Sequence, residues 1–102
     1  MLISAGFDSA AGDETGYNLT PKGYYRLTQM LASLPSVNGR VVAVLEGGYN
    51  IPAVAFGMEA VVAALLKPNQ HSEQSPAPAE LALADMQATV EALKPHWACL
   101  RE

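Results

Sequence analysis

The sequence predicts an α/β chain of two parallel strands and about three helices that forms the C-terminal part of a larger parallel-sheet domain. Three observations carry this. Leu2 to Ala5 and Val41 to Leu45 are continuous apolar runs rather than alternating ones, the pattern of strands buried on both faces. Each run is followed by a loop and then a helical pattern, and a βαβα order implies parallel strands joined by a right-handed crossover. Two such strands leave bare edges and cannot be covered on both faces by so short a chain. The expectation is a piece of a bigger domain. A small complete domain, with the last helix plugging one face, stays open as the alternative.

The elements follow in order. Leu2 to Ala5 stops at Gly6. Thr20 is the expected N-cap of the first helix, with Pro21 at its first position, and Tyr24, Leu27, Leu31 and Leu34 form one apolar stripe at i, i+3, i+7 and i+10. An Asn38-Gly39 turn leads to the second strand, which stops before Gly47-Gly48. The second helix opens near Asn50-Ile51-Pro52 and is apolar nearly all round, so it is expected to be buried on most sides. From Lys67 to Pro78 the composition shifts to Pro, Gln, Ser, Asn and His, an exposed linker. Residues 79–102 are expected to be a docking helix, with Leu83, Met86, Val90 and Leu93 at helical spacing and Pro95 as its stop. Trp97 and Cys99 would serve as its docking contacts.

Composition narrows the function classes. Ten acidic against six basic residues give a net charge of −4, the wrong sign for gripping phosphates, so no direct nucleic-acid binding is expected. The apolar stretch 53–66, broken by Gly57 and Glu59, is shorter than the about 20 residues of a membrane span, so no membrane partner is expected. Cys99 is the single cysteine and supports neither an internal disulfide nor a CxxC zinc site. An intracellular protein, nuclear or cytoplasmic, is the expectation.

In open parallel sheets the functional groups lie in loops beyond the carboxyl ends of the strands. Here those loops are Gly6 to Asn18 and Glu46 to Asn50, and parallel pairing brings Asp8 and Tyr49 to one edge. A carboxylate there can ligate a cation, act as a base or cap a turn. Tyr49 could be a rim or core tyrosine, and Gly47-Gly48 only a turn. A phosphate cradle before the second helix lacks a GxGxxG or a P-loop lysine. Glu59 reads as a solvent-facing or paired carboxylate rather than a catalytic acid, and Glu80, Asp85 and Glu91 as a solvated helix face.

Four ordered blocks change the weight of these readings: Ser4-Ala5-Gly6-Phe7-Asp8-Ser9-Ala10; Gly12-Asp13 with Gly16; Asn18-Leu19-Thr20-Pro21-Lys22-Gly23-Tyr24; and Leu45-Glu46-Gly47-Gly48-Tyr49-Asn50. Over about residues 2 to 66 they resemble the zinc-dependent histone deacetylase superfamily, class II and particularly class IIb. The resemblance implies a three-layer α/β/α fold like that of arginase, with the active site at the strand ends. It implies Asp8 as a ligand of Zn²⁺, Tyr49 as the donor to the oxyanion, Gly47 and Gly48 as walls of a tunnel for an acetylated protein lysine, and hydrolysis of its amide. Zinc polarises the carbonyl and lowers the pKa of a bound water, while a neutral phenol donates to the oxygen as it becomes charged.

Departures refine what the resemblance implies. Glu14 stands where class I enzymes carry an inositol-phosphate Arg, so that regulator site is not supported. Thr15 stands seven residues after Asp8, where polyamine-selective relatives place an acidic gatekeeper. Tyr49 is not the His of class IIa. The family takes its remaining zinc ligands and a His pair from an upstream segment, whereas His71 and His96 here have neither the neighbours nor the strand-end location of those groups. The zinc site is therefore expected to be incomplete, the isolated chain inert, and the missing N-terminal part of the catalytic domain its partner. A non-catalytic interaction module and an acetylpolyamine or other small-molecule amidohydrolase are the rival readings.

Overall fold

The computed structural model describes residues 1–66 and 80–100, which fall in two separate units. In the first, β1 (Leu2–Ala5) and β2 (Val42–Leu45) pair in parallel, with Leu2 opposite Val42, Ile3 opposite Ala43, Ser4 opposite Val44 and Ala5 opposite Leu45. Between them runs α1 (Pro21–Ala32), and α2 (Ile51–Leu66) follows β2. The βαβα order and the parallel pairing are those the sequence predicts, and β2 begins one residue later than expected.

Local chemistry sets the helix starts. Thr20 is extended, and its hydroxyl accepts from the Gly23 amide at 3.2 Å with Pro21 opening α1, satisfying an amide that the helix itself cannot. Asn50 does the same for α2, its Oδ1 accepting from the Ala53 amide at 3.1 Å. Asn38 and Gly39, with φ of 46° and 73°, make the expected turn before β2.

The core lies on one side of the sheet. Ala5, Phe7, Ala10, Tyr24 of α1 and Val61 of α2 are buried together, with Ile3, Ala43, Val54, Met58 and Leu65 packed around them. Phe7 is fully buried and its ring lies 4.9 Å from that of Tyr24, tilted by 48°. Burying a Phe side chain contributes about 1.5–3 kcal/mol, so this residue, at the head of the first loop, anchors that loop to both helices.

Burial in this unit falls short of the apolar pattern in three places. The strands read as buried on both faces only within a larger domain, a cover that so short a chain cannot give. The packed face bears Ile3, Ala5 and Ala43, with Leu45 at its end still half exposed, and Leu2, Val42 and Val44 lie exposed on the other, because a pleated strand sends alternate side chains to opposite faces and both helices pack on one. The second helix, expected to be buried on most sides, buries Gly57, Val61 and Ala64, while Ile51, Phe56, Val62 and Leu66 are exposed. The stripe of α1 is displaced as well. Tyr24, Thr28, Gln29 and Ala32 are buried, Leu27 and Leu31 line an open groove of about 260 Å³ with Ile3 and Val61, and Leu34 falls beyond the helix end. In each case the apolar side chain is present and no described residue covers it.

The second unit holds α3 (Glu80–Leu93), ended by Pro95, and a single 3₁₀ turn, Ala98–Leu100. Lys94 pairs with Glu91 one turn back. The linker expected over residues 67–78, His71 included, lies outside the described residues.

Candidate functional site

Pairing continues past the named strands and draws the two strand-end loops together. The Glu46 amide donates to the Ala5 carbonyl at 3.1 Å, and the Phe7 amide to the Gly47 carbonyl at 2.8 Å. Residue 8 therefore leaves the sheet beside residue 47. The Asp8 carboxylate rests directly against the Gly47 α-carbon: a Cβ at position 47 would lie 2.6 Å from Oδ1 and 2.7 Å from Cγ. A side chain at this position would push that carboxylate aside. Gly48 has φ +132°, and a Cβ on it would come within 2.5 Å of Val54 Cγ2 and 3.1 Å of Phe7 Cβ, so this position too needs both the conformation and the space of glycine.

The remainder of the first loop folds back on itself. The Leu19 amide donates to the Ser9 carbonyl at 2.9 Å and the Ala11 amide to the Leu19 carbonyl at 3.0 Å. Thr15, at the position of the expected gatekeeper comparison, turns its hydroxyl onto the Asp8 carbonyl at 2.6 Å. Glu14 is exposed.

Asp13 is the residue that the sequence reading passes over. It is buried, and its carboxylate takes three backbone amides: Glu14 on Oδ1 at 2.7 Å, and Tyr49 and Asn50 on Oδ2, both at 2.8 Å. These bonds, first that from Asn50 and then that from Glu14, hold its carboxyl below the ordinary carboxylate value, burial opposing them. Asn50 closes the same junction from the other side, its Nδ2 donating to the Gly12 carbonyl at 3.0 Å. Tyr24 lies beneath. Burial, with Asp13 and Asp8 nearby, pushes its phenol upward and keeps it neutral, and its buried hydroxyl has no hydrogen-bond partner among the described residues.

The sequence-predicted residues are thus placed as follows. Asp8 and Gly47 are in contact, Gly48 backs onto Phe7 and Val54, and Tyr49 is held through its backbone amide while the residue is largely exposed. His96 lies in the second unit and is exposed. Among the described residues no three of His, Cys, Asp and Glu converge as a metal site. A catalytic zinc takes about three protein ligands. Asp8 offers one carboxylate and the oxygens of Asp13 are already taken by amides, so the donor set described here does not by itself fit a zinc ion.

The model of the histone deacetylase domain family matches residues 1–65. Histone deacetylase 15 of Arabidopsis thaliana is 45% identical over 74 residues, 72% of this chain and 13% of its own length. Human polyamine deacetylase HDAC10 is 41% identical over an alignment covering 100% of this chain and 15% of that protein. Among solved structures, the histone deacetylase Clr3 superposes with a TM-score of 0.81 at 33% identity over 97% of this chain and 16% of its own. The HD domain of HDA15 superposes with 0.79 at 34% identity, over 98% and 26%. The chain spans only 13 to 15% of the length of the two relatives compared by sequence.

Proposed function

This chain belongs to the histone deacetylase family, class II-like, and from that premise we propose that it is a segment of a zinc-dependent protein-lysine deacetylase domain in which Asp8 is one metal ligand and Tyr49 the donor to the oxyanion. The observation that carries the reading is the junction of the two strand-end loops, where the Asp8 carboxylate lies against Gly47, two residues before Tyr49. Bound zinc would supply Lewis acidity and a water of lowered pKa. The chain's own part is to hold a carboxylate at the strand end and to present a neutral phenol that donates to the amide oxygen as charge develops on it. Gly47 and Gly48, lacking side chains, would also let the backbone approach an extended acyl-lysine.

The remaining ligands and the proton-transferring groups would come from the rest of the domain. That same remainder is the partner proposed for the bare sheet face and for the outer side of α2. The isolated chain hydrolyses nothing under this reading, because one carboxylate does not retain catalytic zinc. Residues 1–66 are its catalytic-domain segment, and the acetylated lysine is met in the nucleus or cytoplasm.

The test uses the complete catalytic domain. Asp8→Ala should lose bound zinc by elemental analysis, and Tyr49→Phe should keep its zinc while kcat on an acetyl-lysine peptide falls by about 10²–10³. Full zinc in Asp8→Ala, or normal turnover in Tyr49→Phe, overturns the corresponding role. The identity to a polyamine deacetylase over the whole chain favours one second reading, an acetylpolyamine substrate. Relative kcat/KM on acetylated peptide and acetylated polyamine decides between them.

A further inference from the structure

We infer that Asp13 is the positioning residue for Tyr49, its carboxylate holding the turn that presents the phenol. The inference rests on the reading of Tyr49 as oxyanion donor and adds a residue to it. Tyr49 is 71% exposed, so packing within this unit does little to fix the direction of its side chain. What fixes it is the backbone. The amide of Tyr49 and the amide that follows it, that of Asn50, both donate to Asp13 Oδ2 at 2.8 Å. With the peptide groups on both sides of its α-carbon tied to one buried oxygen, φ and ψ of residue 49 are set, and with them the direction of the Cα–Cβ bond.

The tie is long in sequence, spanning 36 and 37 residues, and joins the loop that carries Asp8 to the loop that carries Tyr49. It is also strongly made. Charge-assisted bonds to a carboxylate are shorter and about twice as strong as neutral ones. The third amide, from Glu14 at 2.7 Å, orients the carboxylate from its own side, and the Asn50 Nδ2 bond to Gly12 at 3.0 Å keeps the two loops from sliding. An error of about 1 Å in a positioned group can cost on the order of 10²-fold in rate. Loss of the tie is therefore a loss of turnover before it is a loss of metal.

The test is a double-mutant cycle in the complete catalytic domain. Asp13→Ala should lower kcat by about 10- to 100-fold with KM changed less than about twofold, zinc stoichiometry intact, and faster amide hydrogen exchange over residues 49–50. In a Tyr49→Phe background the same change should cost less than about twofold, because the phenol it serves is gone. If Tyr49→Phe is slow but Asp13→Ala keeps its full effect there, the inference falls and the role of Tyr49 stands. If Tyr49→Phe turns over normally, both fall. Should Asp13→Ala fail to fold, Asp13→Asn, which keeps one acceptor oxygen at similar volume, is run through the same cycle. Zinc loss in a folded Asp13 variant would assign the residue to the metal loop and overturn the inference.

Discussion

Gly47 and Asp13 show how far a single residue's role depends on what lies beside it in space. Gly47 reads in sequence as half of a turn and, by resemblance, as a tunnel wall; in the structure the Asp8 carboxylate fills the room its missing side chain leaves. Gly47→Ala in the complete domain should displace that carboxylate and weaken zinc binding by about 10- to 100-fold, the scale on which supporting contacts tune metal sites. A chelator competition measures it, and unchanged affinity would show that Asp8 reaches its site without the cradle. Asp13 carries a pH signature. Its carboxyl is held below the ordinary value of 3.8 in the folded state, so its ionisation favours folding. That contribution is fully present above about pH 3.8 and is lost as the pH falls through the folded value. The stability difference between wild type and Asp13→Asn, followed by denaturant titration, should be constant near neutrality and shrink below pH 3.8. Asp8, Asp13 and Tyr49 all sit in the ordered motifs, and the strand order made the meeting of their two loops legible. What Asp13 binds was not, because its partners beyond Glu14 are backbone amides 36 and 37 residues away, and an amide leaves no mark in sequence.

At the scale of elements, starts and order were legible and burial was not. Thr20-Pro21 and Asn50-Ile51-Pro52 mark helix beginnings by chemistry local to the chain, and both caps are made as the residue types dictate. The faces of α1 and α2 depend on neighbours. Periodicity says which side chains are apolar, and cannot say whether the element that covers them lies in the same stretch of sequence. Asn50 joins the legible and the illegible. It caps α2 through Oδ1 and ties the first loop through Nδ2. Asn50→Ala should cost about 0.5–2 kcal/mol for the cap and about 0.5–1.5 kcal/mol more for the loop bond. Asn50→Ser keeps a capping oxygen and is too short to reach the Gly12 carbonyl, so its denaturation midpoint should fall between the other two. Equal midpoints for Asn50→Ala and Asn50→Ser would mean that the loop bond carries the whole effect.

At the scale of the whole chain, the sheet of the first unit carries apolar side chains in the open. Leu2, Val42 and Val44 share one bare sheet face, and parallel sheets occur almost only with both faces covered. A charge placed on that face should therefore act with opposite sign in two settings. In the isolated 102-residue chain, Val44→Lys gives solvent a hydrated ammonium where it now meets an apolar side chain. It should reduce self-association and dye binding to exposed apolar surface without lowering the melting transition. In the complete domain, the same lysine would be driven under a covering layer without a partner. An unpaired buried charge costs several kcal/mol, so the melting temperature should drop sharply or the protein should fail to accumulate. Sedimentation of the isolated chain and thermal melting of the domain read the two arms. If Val44→Lys is neutral in the complete domain, that face is a true solvent surface there.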